Sequence, residues 1–509
     1  MGKSMTSGNA FKIILLFALP LIFGNFFQQT YNLVDSAIVG KTLGDNALGS
    51  VGVSSSVQFL VLGFCQGTAI GFSIPVATKF GANRLDEMKR YIFNGALLIG
   101  IIAIIVTLLT VSLTGPILKL LQTPVELYDN AYAYLATIFI GLPATLLYNY
   151  LSGVLRAIGD AKLPFLFLVF SALLNIGLDL FCIINLHMGV FGAAFATVVS
   201  QALSGILCLI YIGLKVKLLI PDRQNRVIEG YKVRRLLAMG LPMGFQFSIT
   251  AIGSMAMQMS NNALGTVYVN AYAAGLKIKQ FMMCPFDAIG TAAATFVSQN
   301  YGAQKMDRIR QGCWVGFIIA ILYSLIATIV MVGFGRQLAL LFLDANSVDV
   351  LDACAKYLSY IGLFYWALGI LIVSRQVIQG LGYSNRALIA GFVEMIARCV
   401  VCFGFTGRFG FFAICCADQV AWIFGMLYLI PCMLVCLKHA QLKITYLFLL
   451  KKIIKKYCQQ LVCHDRLFIV DGGLAQLGEH LPYKQRVSGS SPLASTIRRL
   501  SSIGRATDL

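Results

Sequence analysis

The sequence predicts an all-α integral membrane protein of twelve transmembrane helices, built as two parallel-repeat six-helix lobes facing each other across a central cleft. Three observations carry this. Of 509 residues, 58% are hydrophobic and only 12% charged, and the mean hydropathy is +0.80, far more apolar than a water-soluble core requires. The hexapeptide Gly81-Ala82-Asn83-Arg84-Leu85-Asp86 returns as Gly302-Ala303-Gln304-Lys305-Met306-Asp307, and Leu19-Pro20 and Gly159 return in near-constant register as Leu241-Pro242 and Gly382. Register kept across three landmarks marks an internal duplication. Basic residues, finally, gather in alternate loops between the apolar runs.

A hydrocarbon core of about 30 Å takes some 20 apolar residues to cross as a helix, and lipid leaves no alternative to helix for an unpaired backbone. The first apolar stretch runs from Ile13 through Pro20 to Val39. It has no small-residue cleavage site, so it is expected to stay as a mature helix, with Pro20 as its hinge. The second span ends before Lys79, Arg84, Lys89 and Arg90; the third covers 97–114; the fourth ends at Arg156 and Lys162; the fifth and sixth cover 165–186 and 194–214. Residues 1–214 therefore form the N-terminal lobe. Residues 215–235, polar and basic with Pro221, form a linker.

Six more spans occupy 236–438, with Lys305, Arg308 and Arg310 after the eighth and 315–334 as the ninth. Segment 439–469 carries Lys451, Lys452, Lys455 and Lys456 among Leu and Ile, the pattern of a basic amphipathic helix on an inner leaflet. Residues 470–509 are polar and Gly/Ser-rich; they are expected to be disordered, and they resemble the product of a reading frame that runs through a transfer-RNA gene. The opposite loops hold Lys41, Lys119, Arg336 and Arg408 against Asp45, Glu126, Asp129, Asp344 and Asp349. The positive-inside rule then puts both termini and both hexapeptides on the cytoplasmic side of the cell membrane. An even number of crossings per copy follows, and six fits, which makes the repeats parallel rather than inverted.

The net charge of +19 is explained by this loop bias, so no nucleic-acid partner is expected. The fourteen cysteines fall almost entirely inside apolar spans; even the Cys399/Cys402 pair is expected to pack as small hydrophobes rather than bind zinc. With four histidines, no HExxH and no P-loop, the chain is not expected to be an enzyme or to hydrolyse ATP. Energy must come from an ion gradient or a partner, and no cofactor beyond a coupling ion is expected.

A carboxylate in a spanning helix costs about 2.5–3.5 kcal/mol at the centre on insertion scales, and is a functional candidate by default. Asp35 follows Asn25, Gln28 and Asn32 at spacings of three and four, placing all on one face of the first helix. Asp179 follows Asn175 by one turn in the fifth. Either carboxyl can take a proton or a sodium ion. In the repeat register Asp35 aligns with Met257 and Asp179 with Cys402, so the scaffold was duplicated and these acids were not. The second half offers Asp287, Asp418 and a Glu394/Arg398 pair expected to neutralise itself, with Lys277 and Lys279 expected to snorkel outward. Gln246, Met255, Met257 and Met259 on the seventh span can pack, or line a cavity that adapts to apolar ligands.

With these residues in hand the chain resembles the multidrug and toxic compound extrusion (MATE) family over residues 11–437. The resemblance rests on Tyr31-Asn32-Leu33-Val34-Asp35, both hexapeptides, Leu155-Arg156-Ala157-Ile158-Gly159-Asp160 and Gly189-Val190-Phe191-Gly192-Ala193-Ala194-Phe195-Ala196-Thr197. It implies lobes arranged as a V and export of cationic or amphiphilic compounds against inward H+ or Na+ flow. In the DinF-like branch the resemblance implies a first-lobe cation site at Asp35, Asn175, Asp179 and Thr197, with Tyr134 and Asn149 nearby. The NorM-like branch also uses acids in the seventh and tenth spans, and neither span has a membrane-central one here. The expected protein is a monomeric antiporter that binds a small organic cation in a cleft drawing on Gln28, Asn32, Gln246, Met255, Met259 and Asp287. Alternatives are a lipid-linked saccharide flippase, for which only Arg398 offers a central arginine, and a non-transporting receptor or assembly subunit.

Overall fold

A computed structural model describes residues 4–121 and 123–462. The first half comprises α1 (Ala10–Leu43), α2 (Asp45–Gly81), α3 (Leu85–Leu120), α4 (Val125–Ile140), α5 (Leu142–Ala157), α6 (Lys162–Leu180) and α7 (Gly189–Lys215). The second comprises α8 (Gly230–Asn262), α9 (Thr266–Gly302), α10 (Met306–Gly333), the short α11 (Gly335–Ala339), α12 (Val348–Leu363), α13 (Tyr365–Gly380), α14 (Ser384–Phe409) and α15 (Phe411–Val462). Ten of these helices can each cross a bilayer, and two bent pairs, α4 with α5 at 45° and α12 with α13 at 51°, bring the number to twelve. The bend falls at the fourth span of each half.

Local chemistry sets the ends. Asn9 caps α1, its side-chain oxygen accepting from the Lys12 amide at 3.1 Å. Asp86 and Glu87 sit in the first turn of α3, where acids suit the helix dipole. The duplication is written into the backbone: left-handed residues recur in pairs at Gly44 and Gly265, Asn83 and Gln304, Gly159 and Gly382, and Gly189 and Gly410. Each pair sits at the junction between corresponding helices in the two halves.

Two differences from the expected segmentation stand out. The linker is shorter than 215–235, because α8 begins at Gly230 and takes up its last residues; two single 3-10 turns, Lys217–Leu219 and Arg223–Asn225, occupy the remainder. The last span does not stop before the basic segment, since α15 is one helix as far as Val462. The chain divides into one compact unit, Met1–Cys436, and a second, Leu437–Leu509; in the second, the described part is helical to Val462, and residues 470–509, expected to be disordered, lie outside the described residues.

Within the first unit the halves meet through α1 and α2 on one side and α8 and α9 on the other. Glycines make the closest approaches. A Cβ at Gly71 would lie 2.5 Å from Gly240, and one at Gly67 2.5 Å from the Met243 carbonyl oxygen. At the repeated hexapeptides the crossing is reciprocal: a Cβ at Gly81 would stand 1.9 Å from the Gln299 carbonyl oxygen, and one at Gly302 1.8 Å from that of Thr78. At the opposite ends of the same helices, Gly44 and Gly265 have open space around them. The halves are thus sealed at the hexapeptide side.

Candidate functional site

Two helices of the first half build the acidic site. Asp35 lies in the last third of α1, and Asp179, fully buried, near the end of α6. The two carboxyl groups come within hydrogen-bonding reach of each other. One turn before Asp179 the buried Asn175 donates from Nδ2 to Thr197 Oγ1 at 3.3 Å, and Thr197 in turn donates to the Ala193 carbonyl at 3.1 Å. Directly after Asp179 the helix widens into a π turn, Phe181–Asn185. Such bulges re-aim side chains and are frequent at functional sites.

The site has many acceptors and few donors. Asp35 Oδ1, Asn175 Oδ1 and both oxygens of Asp179 are buried and receive no hydrogen bond from any described residue. Unmatched buried acceptors are costly, and four around one point need something positive to share. Two tyrosines stand beside them: Tyr31, next to Gln28, and Tyr134, next to Gln58. A proton held between the carboxyls, or a hard monovalent cation bound by oxygen ligands, fits this donor set.

Of the six positions implied by resemblance, five gather here: Asp35, Asn175, Asp179, Thr197 and Tyr134. Asn149 on α5 instead donates to the Thr145 carbonyl one turn back at 2.9 Å, and no hydrogen bond among the described residues joins it to the pair. Tyr31 and Gln58 belong to the surroundings as well. Neither stood out in the sequence as a polar partner, because one hydroxyl and one amide in long apolar helices give no spacing signal.

The second half holds a different arrangement. Asp418 on α15, 2% exposed, pairs with Lys279 of α9 and with Arg398 Nε of α14 at 2.9 Å. Glu394, 3% exposed, pairs with Arg375 of α13. The expected Glu394/Arg398 ion pair is present at 3.9 Å, but it is not closed on itself: Glu394 also pairs with Arg375, and Arg398 donates to Asp418. Lys279 does not snorkel either, since a buried carboxylate on a neighbouring helix outweighs the distant interface. Arg375 is a second intramembrane arginine that sequence reasoning passed over; its carboxylate partner sits on another helix, 19 residues away. Gln246 is buried and hydrogen-bonds Gln379 in the same cluster at 2.7 Å.

Asp287 differs from these acids. It is exposed although it lies midway along α9, one turn before Thr291, and the charge acting on it is that of Arg375. Thr291, with Ser73 and Ala77 of α2, Arg156 of α5 and Met243 of α8, lines a small cavity between the halves. Asp287 thus lies one turn from the cavity lining, on the same face of α9 as Thr291. Gln28 is half-buried, Asn32 is exposed, Met255 is half-buried and Met259 is 65% exposed. In α1, Pro20 leaves the Leu16 carbonyl without its helical partner, and Asn25 crosses to the other half, donating to the Cys284 carbonyl of α9 at 3.3 Å.

Comparison with known proteins agrees with the duplicated, all-helical fold. The MatE family model matches residues 20–181 and again 242–403, one match in each half. The chain is 30% identical over 404 residues to the probable multidrug resistance protein YpnP of Bacillus subtilis, covering 79% of this chain and 89% of that protein. It is 26% identical to the DNA damage-inducible protein F of Escherichia coli over 61% of this chain and 68% of that one. Among solved structures, a MATE protein in complex with MaL6 superposes with a TM-score of 0.79 at 20% identity, covering 85% of this chain and 98% of that chain.

Proposed function

This chain belongs to the MatE family of membrane transporters and is not an enzyme, and on that premise we propose that it is a cation-coupled antiporter. It exports cationic or amphiphilic small molecules in exchange for H+ or Na+ by alternating access, as a monomer in the cell membrane with both termini cytoplasmic. The observation that carries the reading is the Asp35–Asp179 pair, with four buried oxygens that no described residue satisfies.

In this mechanism the coupling ion binds between the two carboxyls, beside Asn175 and Thr197, and removes their negative charge. α1 is packed against both α6 and α9, so a change at Asp35 reaches the opposite lobe through one helix, which pivots at Pro20. The substrate cation occupies the interlobe space between the exposed polar residues of α1 and Asp287, with Met255 and Met259 supplying an adaptable apolar wall. A ligand shifts such an equilibrium only by its differential affinity for the two states; ion and substrate therefore oppose each other by favouring different states.

The test is efflux of a fluorescent organic cation from reconstituted vesicles under separately imposed proton and sodium gradients. Acceleration by either gradient, lost in Asp35→Asn, supports the proposal. Efflux that ignores both gradients would sink it. The flippase alternative draws nothing from Arg375 or Arg398, because both guanidinium groups already face Glu394 and Asp418.

A further inference from the structure

The first described residues of the chain do not lie free beside α1; they are bound by the other half. Met5 is 2% exposed. Its amide donates to Gln299 Oε1 at 2.8 Å, and its carbonyl accepts from Asn300 Nδ2 at 3.2 Å and Arg308 Nη2 at 3.1 Å. Lys305 donates to the Thr6 carbonyl at 2.8 Å, and Arg308 Nη1 to that of Gly8 at 2.9 Å. Arg308 is held in place by Asn300 Oδ1 at 3.1 Å and lies over the Phe296 ring. The end of α9 and the start of α10 thus form a cradle for the bent backbone of residues 5–8.

Gln299 links this cradle to the seam between the halves. While its oxygen accepts from Met5, its Nε2 donates to the Ala157 carbonyl at the end of α5 at 2.8 Å, and its own carbonyl is the one that Gly81 abuts. One side chain therefore joins the tail, the first lobe and the second lobe at the sealed end. A mirrored arrangement exists at the repeat. The linker ahead of α8 docks on the start of α3, where Arg90 donates to Asn225 and Glu229, and Asn94 donates to the Val227 carbonyl. In each half the segment leading into the first helix is strapped to the opposite half. Residues 4–9 lie ahead of α1 and belong to no helix, so they can leave the cradle without moving one.

We propose that residues 4–9 are a releasable latch on the sealed face, that Gln299 is the positioning residue that holds it, and that unlatching is required for the lobes to part on that side. The proposal rests on the alternating-access reading but is tested without transport. Ser73 lines the interlobe cavity and touches neither tail nor cradle. In Ser73→Cys protein in inside-out vesicles, with the parent protein as blank for the native thiols, labelling by a membrane-impermeant maleimide reports opening on the tail side. Deleting residues 1–8, or Gln299→Ala, is expected to speed labelling about fivefold or more, the size of a population shift from losing one or two hydrogen bonds. Arg308→Lys, which keeps the charge but loses the two-carbonyl fork, is expected to fall between. Unchanged labelling in the deletion variant, with elution and thermal midpoint intact, would overturn the latch. Because no substrate or gradient enters the assay, a failure of coupled efflux would leave this result standing, and the reverse.

Discussion

Asp35 on α1 and Asp179 on α6 place their carboxyl groups within reach of each other, while the amide of Asn175, one turn before Asp179, donates to Thr197 instead. The two acids are acceptors facing acceptors. A fold does not keep such a pair for stability, since each buried oxygen left without a donor costs about 1–3 kcal/mol. Replacing Asp35 or Asp179 by Asn keeps shape and adds donors. Both variants are expected to lose gradient-driven efflux by at least about tenfold while their thermal midpoints hold or rise. Efflux in vesicles and a melting curve on the same sample check both halves of the statement; coupled transport at the parent rate in Asp35→Asn would refute it.

The second-lobe acids should behave in the opposite way. Asp418 answers two buried cations, Lys279 and Arg398, so Asp418→Ala is expected to cost about 3–5 kcal/mol by leaving them uncompensated. Its signature is a steep loss of folded protein, read by size-exclusion yield and thermal midpoint. Asp287→Asn, at an exposed position, is expected to leave stability unchanged and to weaken binding of organic cations several-fold.

The hexapeptide glycines are predicted to be irreplaceable for steric reasons. Gly302→Ala puts a methyl 1.8 Å from the Thr78 carbonyl oxygen, and Gly81→Ala one 1.9 Å from that of Gln299. Backbone cannot retreat as a flexible side chain can, so each is expected to destabilise the sealed state by about 2–3 kcal/mol. Gly100→Ala, with nothing within 4 Å, is the matched control and is expected to be neutral or stabilising by roughly 0.5–1 kcal/mol. Thermal midpoints of the three variants decide it.

A pH dependence is expected at the linker. Burial opposes the charge on Glu229, but Lys232 and Arg90 outweigh it and hold the carboxyl below its usual range. A lowered folded value means that the stabilisation is present above the ordinary carboxylate value of about 4.3 and fades as pH falls through the lower one. Glu229→Gln is therefore expected to be less stable by about 0.5–1 kcal/mol at neutral pH, with the difference fading as pH falls below the ordinary carboxylate value. Melting the parent and variant across that range tests it.

What the sequence made legible follows from range. The repeat, the twelve spans and the charged loops are local or periodic signals, and the same left-handed turns appear in both halves. Asp35 and Asp179 were visible because a lone acid in an apolar run is rare, and Asn175 because it sits one turn from its neighbour. Arg375 was not, because its partner Glu394 comes from the next helix at no helical spacing. The role of Gln299 was equally hidden: its three partners, Met5, Ala157 and Gly81, come from distant parts of the chain. Contacts of that kind are decided by how helices pack, and no pattern along one helix announces them.

The seam at Gly81 and Gly302 bears on bioenergetics. Where backbone lies directly on backbone there is no ring of side chains to flicker apart and no chain of hydroxyls along which a proton could hop. An antiporter of the kind proposed would waste its gradient with every ion that slipped past without cargo, and idle copies would multiply the loss. A closure with no room for one methyl group has no room for a wire of water. On the antiport reading proposed above, two glycines would thereby close the ion's leak path while the protein waits for its substrate.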